Sequence, residues 1–469
     1  MSLTALLVRL PGIGRWLRSR RTAPLRPWPT IDAFGPRPEG GVVVGGAVRD
    51  ALLGQEPRDV DWLVHDPEGA ARSLADRLGG SAFPVDPVRG HWRVVRAPSD
   101  NRPATLDLAP LRGALEDDLA GRDFTIDAMA IGPHGPVDPL GGRRDLQERR
   151  LVQASRHALT DDPLRGLRGL RLAAELDLTW EQASWDRAAS VARDLQSGRV
   201  PLPAAERRRD ELVRVVASAR PGDALTKAHR LGWLELLLPE LLEGDGAPQG
   251  GLHHLDVMRH QLEALQRLAS AFPEADLALR LATLLHDVGK PRCRAQEPGD
   301  RVRFSGHAEV GARIARARLA HLRFERAVRD RAAELVRRHM LPLPKGDREA
   351  RRFVHRRRAL LPDLLKLMIA DREAARGPAS SDAGRRSYRL ALARVVAQLA
   401  EEPSGRRDPW LDGRDVMELL GLEPGPRVGE AVRFLAEATA VGDVRDRDQA
   451  ISALRRYARA QGWPVDDRR

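Results

Sequence analysis

The stretch Gly45–Val64, GGAVRDALLGQEPRDVDWLV, decides the reading of this chain. A Val-rich run ends in Gly45 and Gly46, a helical segment starts near Ala47, and a second strand carries Asp59 and Asp61. Residues i and i+2 of a strand project to one face, so the two carboxylates stand together. Phosphoryl transfer needs in-line geometry and neutralised charge more than a covalent nucleophile, and Mg²⁺ ions held by paired carboxylates supply both. Gly45 and Gly46 let backbone amides approach a triphosphate with no Cβ in the way. Taken alone, an Asp-x-Asp more often caps a surface strand, so its neighbours carry the weight.

Short alternating or Val-rich runs (GVVVGG, VDWLV, HWRVV, TLDLA) fill the segment from Gly41 to about Leu151. From Arg156 onward strand signals stop, and Leu, Ala and Arg recur at helical spacing. The expected class is α+β, a small mixed α/β head followed by a long all-α body. Pro/Gly breaks suggest a basic N-terminal extension over 1–38, a head over 39–150, a helical neck over 151–245, a further helical domain over 246–380 and a helical tail over 381–469.

The 469 residues are 42% hydrophobic and 31% charged, with only 4% aromatics, so the cores must be built from Leu, Val and Ala. One cysteine, Cys293, excludes an internal disulfide and any cysteine zinc cluster, as expected of a cytoplasmic protein. Metal, if bound, must sit on His and carboxylates. No run reaches the roughly 20 apolar residues of a membrane span, so no membrane partner is expected. A net charge of +12 points to a polyanionic partner, although Arg enrichment can also come from coding composition. Oligomeric state is not legible.

The motif GG-x-VRD-x-LLG followed by Asp59 and Asp61, which includes Arg49, resembles motif A of the CCA tRNA nucleotidyltransferase and bacterial poly(A) polymerase family (class II). The resemblance continues in EDDLAGRDFTIDAMA, which implies that Arg122 and Asp123 contact the ribose and phosphates of the incoming nucleotide. Two departures are Gly121 for the usual Arg and Asp127 for the usual Asn. Asp107, on a later strand where relatives often carry a carboxylate, is a candidate third metal ligand. VDPLGGRRDLQERRL, with Asp138 and Gly142, is similar to the segment closing the family's head, and DPWLDGRDVMELLGLEPGPRVGEAVRFL resembles a segment of the region that holds the tRNA elbow.

LTDDPLRGLRGLRLAAEL resembles the family's nucleotide-selecting helix. Asp162 and Arg165 are expected on one face of a helix opening at Pro163, with Arg168 continuing that face toward phosphate or RNA. Cytosine and adenine each offer an amino donor beside a ring acceptor, which one Asp and one Arg can satisfy, whereas uracil and guanine place a carbonyl where Asp needs a donor. CTP and ATP are thereby the expected substrates.

A second constellation is His260, the adjacent pair His286 and Asp287 in an apolar helix, His307, His339 and Asp371. A buried ionisable pair is costly without a partner, and the set resembles the HD phosphohydrolases, whose His and Asp side chains converge on divalent metal (Mg²⁺, Mn²⁺, Co²⁺ or Ni²⁺). The resemblance implies a tRNA 3′-terminal nucleotidyltransferase. Open alternatives are a poly(A) polymerase of the same fold and an HD phosphohydrolase with an inactive RNA-binding head. A loop of full CCA-adding relatives is missing, since LDLAPLRG runs almost directly into ALEDDLAGRDFT; relatives lacking it tend to add only the two cytidines.

Overall fold

The computed structural model describes residues 24–57, 59–95, 105–250, 254–297, 301–375, 381–401 and 410–463. They form two units, one reaching to Asp245 and including Arg316–Arg329, the other built from Gly246–Ala315 and from Asp330 onward.

The first unit begins with a seven-stranded sheet of order β3-β4-β5-β2-β1-β6-β7. Its elements are β1 (Val42–Val44), α1 (Gly46–Leu52), β2 (Asp59–Val64), α2 (Pro67–Leu78), β3 (Ser81–Asp86), β4 (His91–Val95), β5 (Thr105–Pro110), α3 (Leu115–Ala120), β6 (Ala130–Gly132), β7 (Gly135–Val137) and α4 (Gly142–Gln147). Three β-branched residues make β1 a fully buried central strand, and only the β2–β5 pairing in this sheet is parallel. Asp66 caps α2 through Gly69 N, Pro67 fits the first turn, and Gly79, at φ 61°, ends it. β3 is absent from the sequence expectation because Pro84 interrupts it. Its place at the sheet edge explains the tolerance, since an edge strand can lack one ladder donor.

A helical neck follows: α5 (Ala158–Asp161), α6 (Arg165–Leu176), α7 (Gln182–Gln196), α8 (Ala205–Ala217), α9 (Pro221–Arg230), α10 (Trp233–Leu237) and α11 (Pro239–Leu242). α6 packs closely enough that a Cβ at Gly169 would stand 2.4 Å from the Trp180 ring. The strands do not stop at Arg156. β8 (Arg150–Leu151) pairs with β9 (Thr179–Trp180), and β10 (Ala295–Glu297) with β11 (Arg301–Arg303), each a short local pairing that leaves no periodic signal.

Part of the expected N-terminal extension, residues 1–23, lies outside the described residues. Within 24–38 the chain is part of the head's packing: Phe34 is buried, Arg26 N donates to Leu52 O, and Arg143 lies over the Trp28 ring. Arg316–Arg329, expected within the domain over 246–380, joins the first unit, where Arg318 grips the Glu240 carboxylate at 2.8 Å.

The second unit holds α12 (Val257–Ala271), α13 (Leu277–Leu285), α14 (His307–His321, whose C-terminal part belongs to the first unit, as does the start of α15), α15 (Arg326–Arg338), α16 (Asp347–Arg357), α17 (Asp363–Ala374), α18 (Asp382–Glu401), α19 (Gly413–Leu420), α20 (Pro426–Ala440) and α21 (Arg447–Ala460). The last three close a small core around Leu411, Val416, Leu420, Leu435 and Leu454. No helix among the described residues is long and apolar enough to cross a membrane.

Candidate active site and metal centre

On β2 the side chains of Asp59 and Asp61 are exposed while Val60 and Trp62 are buried, which sets both carboxylates on one face. Val44 pairs with Asp61, so the turn after β1 lies beside that carboxylate. Gly45 has φ 77°, and a Cβ there would meet Arg122 Nη1 at 2.8 Å and Asp61 Oδ2 at 3.7 Å. Only glycine fits this turn without strain. Asp61, Asp107 and Arg122 line one cleft of about 240 Å³.

Asp107, expected only to lie on a later strand, is in register with Asp61 on the neighbouring parallel strand. Both its oxygens already accept from Arg93, at 2.6 and 2.7 Å. Although Asp61 reaches the surface as a residue, the walls of the cleft desolvate its carboxyl, and that desolvation, with the charges of Asp107 and Asp59, pushes it up to about 6 against the opposing pull of Arg122. A carboxylate so crowded with negative charge gains from a cation, and Asp59 with Asp61 therefore fits divalent metal.

Arg49 pairs with Asp50 at 2.7 Å and with Asp127. The departure from Asn at 127 thus meets a guanidinium, although burial still holds Asp127 above the usual carboxylate range. Arg122 is half-buried and pairs with Asp118 at 3.3 Å. Asp123, expected to face the nucleotide, is only 6% exposed and accepts from Arg168 at 2.8 Å. Burial works against its charge, but Arg168 wins and holds it below the usual range. The Asp123–Arg168 pair ties the head to the neck, where Arg168 and Arg171 both reach Glu211, at 3.6 and 3.0 Å. Asp138 caps α4 by accepting from Gly142 N and Arg143 N.

Asp162 and Arg165 do not share a helical face. Asp162 is extended (φ −137°, ψ 101°) between α5 and α6, and the helix opens at Arg165. Its carboxylate accepts from Leu164 N and from Arg207 at 2.7 Å, while Arg165 donates to the carbonyls of Gly121, Arg122 and Ala158. The residue before Pro163 is biased away from the helical region, which moves Asp162 off the helix.

In the second unit all six expected residues converge. His260, His286 and Asp371 form one group and Asp287, His307 and His339 another, the ligand atoms of each lying within 4.8 Å of one another. His260 Nε2 is 3.0 Å from Asp371 Oδ1, and His307 Nε2 and His339 Nε2 lie 3.4 and 3.5 Å from Asp287 Oδ1. The Nδ1 atoms of His286, His307 and His339 each contact the carbonyl three residues earlier, on Thr283, Phe304 and Val336, at 2.7–2.8 Å. That contact turns each Nε2 inward. His286 Nε2 and both Asp287 oxygens are buried without a well-directed hydrogen bond, which fits bound divalent metal. Burial disfavours a charged His286, yet Asp287 and Asp371 push it up to about 10.

Sequence reading missed Arg93, Arg207, Gln249 and Lys290. Lys290 is buried, lies 2.6 Å from Asp287 Oδ2 and donates to Gln249 Oε1 at 2.7 Å. Its signal was available, because the chain holds only four lysines against many arginines and this one follows the His286-Asp287 pair closely.

Residues 42–152 match the Poly A polymerase head domain and residues 253–376 the HD domain. The chain is a nucleotidyltransferase whose head is followed in sequence by an HD domain. It is 49% identical to the A-adding tRNA nucleotidyltransferase of Deinococcus radiodurans, over 94% of this chain and 98% of that protein, and 45% identical to the CC-adding tRNA nucleotidyltransferase of Thermus thermophilus, over 91% and 97%. It belongs to the tRNA nucleotidyltransferase family. The fold is also that of the Thermotoga maritima CCA-adding enzyme complexed with tRNA, with a TM-score of 0.58 at 19% identity, covering 89% of this chain and 91% of that one.

Proposed function

We propose that the enzyme extends the 3′ end of tRNA with C and A residues from CTP and ATP, without a nucleic-acid template, and that it acts in the cytoplasm. The observation that carries the reading is the pair Asp59 and Asp61 on one face of β2 beside the Gly45 turn, with Asp61 and Arg122 lining the same cleft. The primer 3′-OH attacks the α-phosphate of the nucleotide and pyrophosphate leaves. Asp59 and Asp61 would hold Mg²⁺, which when bound neutralises the triphosphate and lowers the pKa of the attacking hydroxyl. Arg122 faces the same cleft and binds the triphosphate, with Gly45 and Gly46 offering close backbone approach. Arg49 holds Asp127 in place, and the Asp123–Arg168 pair fixes the head on the neck. Asp162 and Arg165 address the Watson–Crick edge of the incoming base, Asp162 leaving Arg207 to do so. The region from about 381 onward binds the body of the tRNA.

A second, narrower reading rests on the link from β5 to α3, which is only Leu111–Ala114: synthesis that stops after the two cytidines. The two relatives divide between A-adding and CC-adding, so identity alone does not choose. Separately, the HD residues His260, His286, Asp287, His307, His339 and Asp371 would hold Mg²⁺, Mn²⁺, Co²⁺ or Ni²⁺ for hydrolysis of phosphoesters such as 2′,3′-cyclic phosphates. The decisive assay uses tRNA transcripts ending at the discriminator base, at C and at CC, each with a single nucleotide. Addition of CMP to the first two, with no AMP on the third, supports the reading; AMP addition to the third overturns the CC assignment, and extension of unrelated RNA with many AMP residues overturns the tRNA one.

A further inference from the structure

Strand register sets Asp61, Asp107, Arg93 and Phe83 in one straight row across β2, β5, β4 and β3, since each is the direct partner of the next. Direct partners share a face of a sheet, so Phe83 lies on the same face as the catalytic carboxylate. Three strand spacings put it roughly 14 Å away. Phe83 is 44% exposed, and Val95, two residues from Arg93 and on the same face, is 38% exposed. Half of the large apolar side chains left exposed among the described residues stand on this one hairpin: Phe83, Val85, Val88 and Val95. Such a concentration marks a binding surface.

Its surroundings choose the occupant. Val85 and His91 line the same cleft as Asp61 and Asp107, so the patch is continuous with the site of chemistry. Arg89 is widely exposed at the hairpin tip, and Arg112, from the short link after β5, donates to its carbonyl. An exposed aromatic beside arginines, running away from a phosphoryl-transfer site, has the chemistry that single-stranded nucleic acid requires, with bases stacking on the ring and phosphates meeting guanidinium groups.

We propose that the β3–β4 hairpin is the track for the unpaired 3′ end of the RNA primer, and that Phe83 stacks on a base upstream of the reacting nucleotide while Arg93 and Arg89 meet its phosphates. The assignment rests on the tRNA-extending function proposed above. Arg93 is thereby a specificity and positioning residue, held flat on the sheet by Asp107.

The test uses full-length enzyme and a tRNA transcript with 2-aminopurine replacing the last unpaired purine before the growing end. Wild-type enzyme quenches the probe on binding, Phe83→Ala does not, and Phe83→Tyr restores the quenching. In steady-state extension, Phe83→Ala raises KM for the tRNA about 10-fold, the order expected for one lost stacking aromatic, while KM for CTP stays within about twofold. The proposal is overturned if Phe83→Ala leaves tRNA KM and quenching unchanged, if the loss falls on CTP instead, or if it only dissociates an oligomer seen by sedimentation. Wild-type enzyme that extends no tRNA refutes the functional reading itself, whereas active wild type with an indifferent Phe83→Ala refutes this track alone.

Discussion

The Asp162 carboxylate accepts a hydrogen bond from Arg207, 45 residues further along the chain, at 2.7 Å, while Arg165 reaches Asp162 only through its backbone N–H, which donates to the Asp162 carbonyl at 3.0 Å. The acceptor proposed to read a base is therefore held by a neck residue until a base amino group replaces it. Asp162→Ala and Arg165→Ala should each reduce discrimination of CTP against UTP by about 1–3 kcal/mol, the cost of one unmet buried polar group, or roughly 5-fold to 150-fold. Arg207→Ala should shift nucleotide KM without erasing discrimination. Competition assays with paired nucleotides measure both.

Removing either carboxylate of β2 should abolish nucleotide addition while leaving the fold and any hydrolysis intact. Transfer above a few per cent of wild type in both Asp59→Ala and Asp61→Ala, measured by gel extension, would place the chemistry elsewhere.

Asp61 also sets a pH dependence. Its folded value of about 6 lies above the ordinary carboxylate value of about 3.9, so the folded state takes up a proton first. The cost to the fold is full above about 6, fades as pH falls from about 6 to the unfolded value, and is absent below it. In chelator, Asp61→Asn should therefore raise Tm near pH 8 and leave it unchanged near pH 4. Addition should decline as pH falls through about 6, and added Mg²⁺ should restore part of it, because proton and cation compete for one carboxylate.

Arg168→Ala leaves Asp123 buried and unpaired. Breaking a fully buried pair costs about 3–5 kcal/mol, and because the Arg168 side chain is 35% exposed a loss of about 2 kcal/mol is expected. Asp123 sits below the usual range, so the pair's stabilisation is complete above the unfolded carboxylate value and is lost as pH falls through the lower folded one. Urea midpoints at neutral and acid pH should converge for wild type and variant.

The HD cluster should act independently of the head. Joint His286→Ala and Asp287→Ala substitution should strip divalent metal, read by elemental analysis, and remove hydrolysis of 2′,3′-cyclic phosphates, with nucleotide addition kept. Wild-type protein that hydrolyses nothing with Mg²⁺, Mn²⁺, Co²⁺ or Ni²⁺ would make the domain structural.

What the sequence made legible was set by range. The face shared by Asp59 and Asp61 follows from alternation along one strand, and His286 beside Asp287 marks a buried ionisable pair, so both could be read locally, although the apolar helix expected to hold that pair ends at Leu285, with His286 as its C-cap and Asp287 in the turn beyond. Arg93 and Arg207 could not, because their partners Asp107 and Asp162 come close only through strand pairing and helix packing. Asp162 was misplaced because its three-residue spacing from Arg165 also fits a helix, and the bias imposed by Pro163 outweighed it. Pro84 hid β3, whose edge position only the assembled sheet reveals.

Three imidazoles of the HD cluster are each tethered to a carbonyl three residues upstream, within their own turn of chain. Ring rotation is thus settled by each segment separately, ahead of any assembly between helices. An arriving ion then has few torsions left to freeze, so replacing a residue that positions an anchoring carbonyl should weaken capture too, though less than loss of the imidazole itself.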